Sequence, residues 1–256
     1  MTSKKFVSRN RLIRYLDDYL NVSSIPDDSI NGLQVEGAAE ISKAVFAVDA
    51  CLETVRAASD SRANILVVHH GLFWKRNERI VGVMRERIST LLENEISLYA
   101  SHLPLDCHEE VGNNVQLAEI LGLRKTGSFA TYKGVTIGVL AKPDKVLRRE
   151  TLLKKLEQEL NTHAEMLPFG PARVKKVGIV SGEAASFVGE AKLADADTLI
   201  TGETSHAAYH FAKESEINVI FAGHYASETV GLVALLRHIE ERFAITCRFL
   251  SAPTGY

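Results

Sequence analysis

Val67-Val68-His69-His70-Gly71 closes an apolar, β-branched run and passes at once to glycine. The run from Asn64 to Val68 reads as a buried strand that delivers two imidazoles to a loop at its C-terminal edge. Neighbouring side chains on an extended chain point to opposite sides. Two adjacent histidines therefore converge on one target only if the backbone turns there, and Gly71 permits such a turn. The dipeptide alone fits a pair of unrelated loop histidines equally well, so its surroundings decide.

Upstream, Lys43–Asp49 (KAVFAVD) is a buried strand ending on aspartate, followed by a helix over residues 51–59. Before it, residues 9–20 place Leu12, Tyr15, Leu16, Tyr19 and Leu20 on one helical face. A polar turn through Pro26-Asp27-Asp28 then leads to a short strand at Asn31-Gly-Leu-Gln-Val35. Downstream, residues 80–95 are helical with Val81, Met84, Ile88, Leu91 and Leu92 on one face. Ile96–Ala100 is a strand running into Ser101-His-Leu-Pro-Leu-Asp106, where Pro104 disfavours a continuing strand or helix. A helix over 113–121 ends at Gly122.

The order then returns. Strands are expected at Gly134–Ala141, Lys176–Ser181, Thr198–Thr201, Asn218–Ala222 and Ala244–Leu250, with helices over 145–161, 184–194, 205–215 and 227–242. Lys43–Asp49 matches Lys175–Ser181 in kind, Ala63–His70 matches Asp197–Glu203, and Ile96–His102 matches Ile217–His224 with one residue inserted. The chain thus reads as a diverged repeat of two βαβαβ halves, an α/β fold with lobes 1–125 and 126–256.

The 256 residues suffice for one large or two modest domains, and 46% hydrophobic with 24% charged residues is an ordinary globular balance. A net charge of -2 and the lack of a Lys/Arg block give no support for nucleic-acid binding. No apolar run reaches the roughly 18 residues of a membrane span, and no apolar core follows the basic N-terminus as in a secretory signal. Cys51, Cys107 and Cys247 form no CxxC pair, so neither a disulfide framework nor a thiolate zinc site is indicated and a reducing cytoplasm is expected.

Sites in α/β sheets lie outside the carboxyl ends of the strands. Here those ends collect Asp49, His69, His70, His102, Asp106, Glu203, His224 and Glu228. His102-x3-Asp106 and His224-x3-Glu228 follow corresponding strands, and Glu228 is expected in the first turn of a helix beginning near Ala226. A carboxylate can bridge two cations while neutral imidazoles complete each sphere. Mixed His/Asp/Glu ligation without thiolate suits zinc, manganese, iron, cobalt or nickel rather than calcium or magnesium. The plain alternative is that polar residues end strands in every α/β protein.

Five motifs occur in order: Asn31-Gly-Leu-Gln-Val35, Val68-His-His-Gly-Leu-Phe-Trp74, Ser101-His-Leu-Pro-Leu-Asp106 with Gly112-Asn-Asn114, Thr201-Gly-Glu203, and Ala222-Gly-His-Tyr-Ala-Ser-Glu228. Together they resemble the Nif3-like dinuclear metal centre family, whose members often carry the name GTP cyclohydrolase 1 type 2 homologue; the length resembles the short bacterial form. The resemblance implies two similar α/β lobes facing each other across a cleft. It implies two divalent transition-metal ions (Zn, Fe, Mn, Co or Ni) held by His69, His70, Asp106, His224 and Glu228, and self-assembly into a toroidal homohexamer. It also implies a metal-dependent hydrolase, GTP cyclohydrolase-like or a phosphoesterase, acting on a small nucleotide-like substrate. A non-enzymatic metal-binding, regulatory or assembly protein would need the same ligands.

His102 matches the family motif and is expected to orient Asp106 or a water; Glu203 is expected to be a carboxylate supporting the ligands, the general base, or a plain helix-entry residue, and these two are the candidate catalytic residues. His206 and His210 lie i, i+4 and read as one surface and one site-lining residue in preference to a metal pair. His108 and His163 read as loop or surface residues, His238 as lying on a solvated helix face. Trp74 either walls the site or simply packs. Cys107, next to Asp106, is expected to point away. Gly112-Asn-Asn114 could offer backbone N–H groups to an anion. The tail Phe249–Tyr256 departs from the family pattern: it lacks the Asp/Asn-Pro stretch in which family members often end.

Overall fold

A computed structural model describes residues 5–76 and 78–256. They form two compact units. One runs to Leu105 and resumes at Leu232–Ala252; the other comprises Asp106–Gly231 and Pro253–Tyr256. A single boundary after residue 125 is expected from the sequence, whereas these units are discontinuous. The last strand, Thr246–Phe249, pairs parallel with Lys43–Asp49 and so rejoins the first sheet. The helix Asn113–Ile120 puts Leu117 and Ala118 into one cluster with Val139 and Ala141 of the second sheet.

The first unit is a five-stranded sheet in the order Thr246–Phe249, Lys43–Asp49, Ile65–His70, Ser97–Ala100, Gly32–Val35, with only the last strand antiparallel. Strands in parallel sheets are covered on both faces and read as continuous apolar runs. Accordingly Ala44–Val48 and Ile65–His69 are buried throughout. Helices Leu52–Asp60 and Gly82–Glu93 link the central strands. Leu91 is buried, and Met84 and Ile88 pack on the core. Val81 and Leu92, expected on the same face, are more than half exposed. Val81 precedes the first helical residue, and Leu92 lies about 100° around the helix from Leu91. Contrary to expectation, Leu103–Asp106 is a helical turn with Pro104 inside it. In a first turn the missing proline N–H has no intrahelical partner to lose.

The second unit is a six-stranded sheet ordered Glu165–Pro168, Asn218–Phe221, Thr198–Thr201, Val177–Ile179, Val135–Pro143, Leu123–Tyr132. The strands at 177, 198 and 218 are mutually parallel, and the others are antiparallel to their neighbours. Leu123–Tyr132 is not predicted from the sequence. It forms a hairpin around Lys133-Gly134, both with positive φ (50° and 82°), the backbone that two-residue hairpin turns require. The helix expected from 145 begins at Arg149, because Leu147–Arg148 pairs with Arg173–Val174 instead. The helix expected over 184–194 is a 3-10 turn, Ala185–Phe187, followed by Val188–Leu193.

Both sheets carry three consecutive parallel strands, first to third, with an antiparallel strand beside the third. The likeness extends to single bonds. Asn64 Oδ1 accepts the N–H groups of Ser42 and Lys43, and Asp197 Oδ2 accepts those of Lys175 and Lys176. Lys43 Nζ caps the carbonyl of Ser61 and Lys176 Nζ that of Ala194, each at 2.5 Å. Arg62 and Asp195, then Glu95 and Glu216, hold matching left-handed positions. This register equates Lys43 with Lys176, one residue later than the sequence match to Lys175. Among the described residues no helix is long and apolar enough to cross a membrane.

Candidate metal centre

In the first unit the strand Ile65–His70 runs through both histidines, and His70 still faces Asp49 in the parallel ladder. No turn separates them. Their rings nonetheless lie 4.7 Å apart, and His102, just past the next strand, lies 5.0 and 5.6 Å from them. One ring nitrogen from each of His69, His70 and His102 falls within 4.8 Å of the others.

Gly71 serves space rather than a turn. A Cβ there would lie 2.4 Å from Gln34 Nε2 and 2.6 Å from Ala100 Cβ. Gln34 comes that close because its Oε1 accepts the N–H groups of Leu72 (2.7 Å) and Phe73 (3.2 Å), while Nε2 donates to the carbonyl of Ile30. The Asn31–Val35 motif thus clasps the loop that follows the histidine pair.

Every ring of this cluster is held through Nδ1. His69 Nδ1 meets the Ser101 carbonyl at 2.9 Å, His70 Nδ1 meets Asp49 Oδ1 at 2.8 Å, and His102 Nδ1 meets Asp27 Oδ1 at 3.0 Å. An oxygen acceptor on Nδ1 fixes the tautomer with its proton there and leaves the Nε2 lone pair for a cation. Asp27 is 4% exposed and also accepts from Ser29 N–H, Asn31 Nδ2 and Leu103 N–H. Burial alone would raise its pKa. The hydrogen bond and charge of His102, then Asn31 and Leu103, outweigh that and hold the carboxyl well below the usual range. Trp74 stands edge-on to His102 with centroids 5.1 Å apart, so it walls the cluster.

In the second unit Asp106 ends the turn Leu103–Asp106. Its Oδ1 accepts from Asn113 Nδ2 at 2.8 Å and Ser181 Oγ at 3.0 Å. These groups orient Asp106; His102, expected to orient Asp106 or a water, engages Asp27 through Nδ1. Asn113 and Asn114 are fully buried, and Asn114 Oδ1 accepts the Ser181 N–H while its amide donates to Ile137. Their side chains therefore build the site.

His224 opens the helix His224–Phe243, earlier than the expected start, so His224 and Glu228 are an i, i+4 pair on one face. His224 Nε2 and Glu228 Oε2 lie 3.1 Å apart, and His224 Nδ1 meets Glu203 Oε1 at 2.5 Å. Burial works against the imidazolium, but Glu228 and then Glu203 prevail and push the His224 pKa up to about 9. Gly182, with φ of 64°, admits the Glu228 carboxylate; a Cβ would lie 2.3 Å from Oε1.

His206 and His210 are both exposed, so burial does not distinguish the surface residue from the site-lining one expected of the pair. His238 is not on a solvated face: it stacks on Tyr19 at 4.1 Å and its Nε2 meets the Tyr15 hydroxyl. His108 accepts two loop N–H groups and His163 is exposed, as expected. The tail returns to the second unit, where the Tyr256 carbonyl accepts the Tyr225 N–H. The sequence points to Asp49 as a strand-end carboxylate and to Gln34 and Asn113 as motif members, but not to their partners, and it assigns no role to Asp27, Ser181 or Gly182. Of these last three, Asp27 carries a local signal, an aspartate two residues before an N–H it can accept.

The family model of Duf34/NIF3 (NGG1p interacting factor 3) matches residues 7–254. The chain belongs to this family. It is 46% identical to the GTP cyclohydrolase 1 type 2 homolog of Archaeoglobus fulgidus over 95% of this chain and 98% of that protein. It is 39% identical to the homolog of the same name from Deinococcus radiodurans over 99% and 97%. Among solved structures, TTHA1606 from Thermus thermophilus superposes with a TM-score of 0.88 at 40% identity, covering 98% of this chain and all of that one. Protein ybgI, of unknown function, gives 0.92 at 33% identity with the same coverage. The α/β fold agrees with those structures.

Proposed function

We propose that this chain binds two divalent transition-metal ions through His69, His70, Asp106, His224 and Glu228 and hydrolyses a nucleotide-like substrate with them. The carrying observation is the common use of Nδ1. The ligand histidines His69, His70 and His224 each engage a carbonyl or carboxylate oxygen through that atom, the arrangement in which Nε2 is the ligand atom and a cation would take the place of any proton there. Three imidazoles and two carboxylates without thiolate fit zinc, iron, manganese, cobalt or nickel. Such ions supply Lewis acidity, which makes water a usable nucleophile near neutral pH.

The chain's own groups would position the substrate and carry the proton. Glu203, partly exposed, holds the proton on His224 Nδ1, and Asp27 holds the ring of His102. The nucleotide class follows from the name that the relatives carry. The toroidal homohexamer belongs to the same proposal and is tested by light scattering.

Elemental analysis of purified protein should find about two transition-metal ions per chain, fewer in His69→Ala and His224→Ala. Glu203→Gln and His102→Ala should keep the metal and lose hydrolysis in a screen of GTP, other nucleotides and phosphodiesters. Unchanged metal content in both histidine variants refutes the ligand assignment. Metal-loaded wild type that hydrolyses nothing in the screen leaves the non-enzymatic reading.

A further inference from the structure

We propose that a polar cavity of the first unit, beside the histidine cluster, takes the phosphate group of the substrate. The inference rests on the hydrolase reading above and adds to it a subsite and a ligand class. The cavity measures about 320 Å³ and is lined by Ser23, Ser24, Ser29, Asn31, Asp27 and Lys75 among others.

Its chemistry is that of an anion site. Three hydroxyls, one amide and one ammonium line it, and Asp27 is the single acidic group. That carboxylate is already engaged: both oxygens accept N–H groups from Ser29, Asn31, His102 and Leu103. Lys75 forms no ion pair among the described residues. Its place is set by a short antiparallel tie, in which Ile30 N–H donates to the Phe73 carbonyl, Ser29 bridges Trp74, and Lys75 N–H donates to the Asp28 carbonyl.

Ser29 supplies a second, independent observation. It is 3% exposed, and its hydroxyl has no hydrogen-bond partner among the described residues. A buried hydroxyl left so is costly. Phosphate oxygens accept strongly from hydroxyls and ammonium groups. Lys75 is exposed, so its ammonium reaches the cavity from the solvent side.

The position suits the chemistry. Asn31 and Asp27 form the cavity wall and also place His102: Asn31 Oδ1 accepts the His102 N–H at 2.8 Å, and Asp27 holds its ring. A phosphate ester bound here would sit one side chain away from the imidazole cluster.

Titration calorimetry tests this with inorganic phosphate, GMP and guanosine, on the protein as purified and after chelator treatment. Phosphate and GMP should bind, and guanosine should bind at least about tenfold more weakly. Lys75→Gln should weaken phosphate and GMP by about tenfold, with metal content and melting temperature unchanged. Ser29→Ala should weaken them in the same direction. GMP tighter than phosphate identifies an ester as the guest and the reverse identifies the free anion; either result with Lys75 dependence upholds the cavity. Equal affinity in wild type and Lys75→Gln, or phosphate binding that vanishes on chelation, overturns it. Because the chelated protein is assayed separately, a chain found to hold no metal would refute the proposed function while leaving this test readable.

Discussion

Asn113 Nδ2 donates to Asp106 Oδ1 at 2.8 Å while Asn113 Oδ1 accepts the N–H of Gly231 at 2.9 Å. One fully buried amide therefore joins a candidate ligand to the helix that carries His224 and Glu228. Asn113→Ala strands a buried N–H and removes a donor from a carboxylate, at a cost of about 1–3 kcal/mol. The expected result is a lower melting temperature and reduced metal content. Asn113→Asp should be worse, since it sets carboxylate against carboxylate. Full metal content in Asn113→Ala would show that Asp106 needs no such support.

Gly71→Ala drives a methyl into Gln34 and Ala100, an overpacking that costs about 1–3 kcal/mol. The loop that follows the histidine pair must then shift. Thermal unfolding should register the loss of stability, and elemental analysis a loss of metal. Gln34→Ala relieves the crowding but releases the loop. In the double variant the steric penalty should shrink while the metal loss remains, which separates the two causes.

The candidate site is legible where chemistry sits at strand ends. His69, His70, His102, Asp106, Glu203, His224 and Glu228 all stand out as polar residues closing apolar runs. Their supports did not stand out. Asn113 and Ser181 are ordinary buried polar residues whose partners are set by tertiary packing, and Gly182 is required by a carboxylate 46 residues later in the chain. The hairpin strand Leu123–Tyr132 escaped because Lys125-Thr-Gly-Ser128 has little apolar alternation, although Lys133-Gly134 was a usable turn signal. The start of the last helix was placed too late, since Gly223 and His224 read as the end of a strand. Val81 and Leu92 were assigned to a buried face because helical periodicity alone cannot tell where that face ends.

Asp27 gives an acid limb to stability. Its pKa lies well below the ordinary value in the fold, so its contribution is complete above about pH 5 and is lost progressively as pH falls toward the folded pKa. Asp27→Asn should melt below wild type at pH 6, and the gap should narrow as the pH is lowered through the carboxylate range. Melting curves from pH 7 down to about 2 read the narrowing. A gap that widens on acidification would contradict the assignment of His102 and its neighbours as stabilisers of the charged form.

Cys247 should resist thiol reagents. Burial and then the nearby Glu240 push its pKa up to about 12, so little thiolate exists at pH 8. Native protein treated with iodoacetamide should show Cys247 unmodified by peptide mass mapping, and the same residue should react fully in denaturant. Rapid native labelling at Cys247 would contradict the raised pKa.

The paired clasps at Asn64 and Asp197 give the chain an internal control. Each side chain gathers two backbone N–H groups of the preceding strand, in frames that agree down to a lysine on the same turn. One clasp is a neutral amide and the other a carboxylate. Exchanging them, as Asn64→Asp and Asp197→Asn, asks within a single molecule how much a formal charge adds to one backbone motif, with each unit calibrating the other.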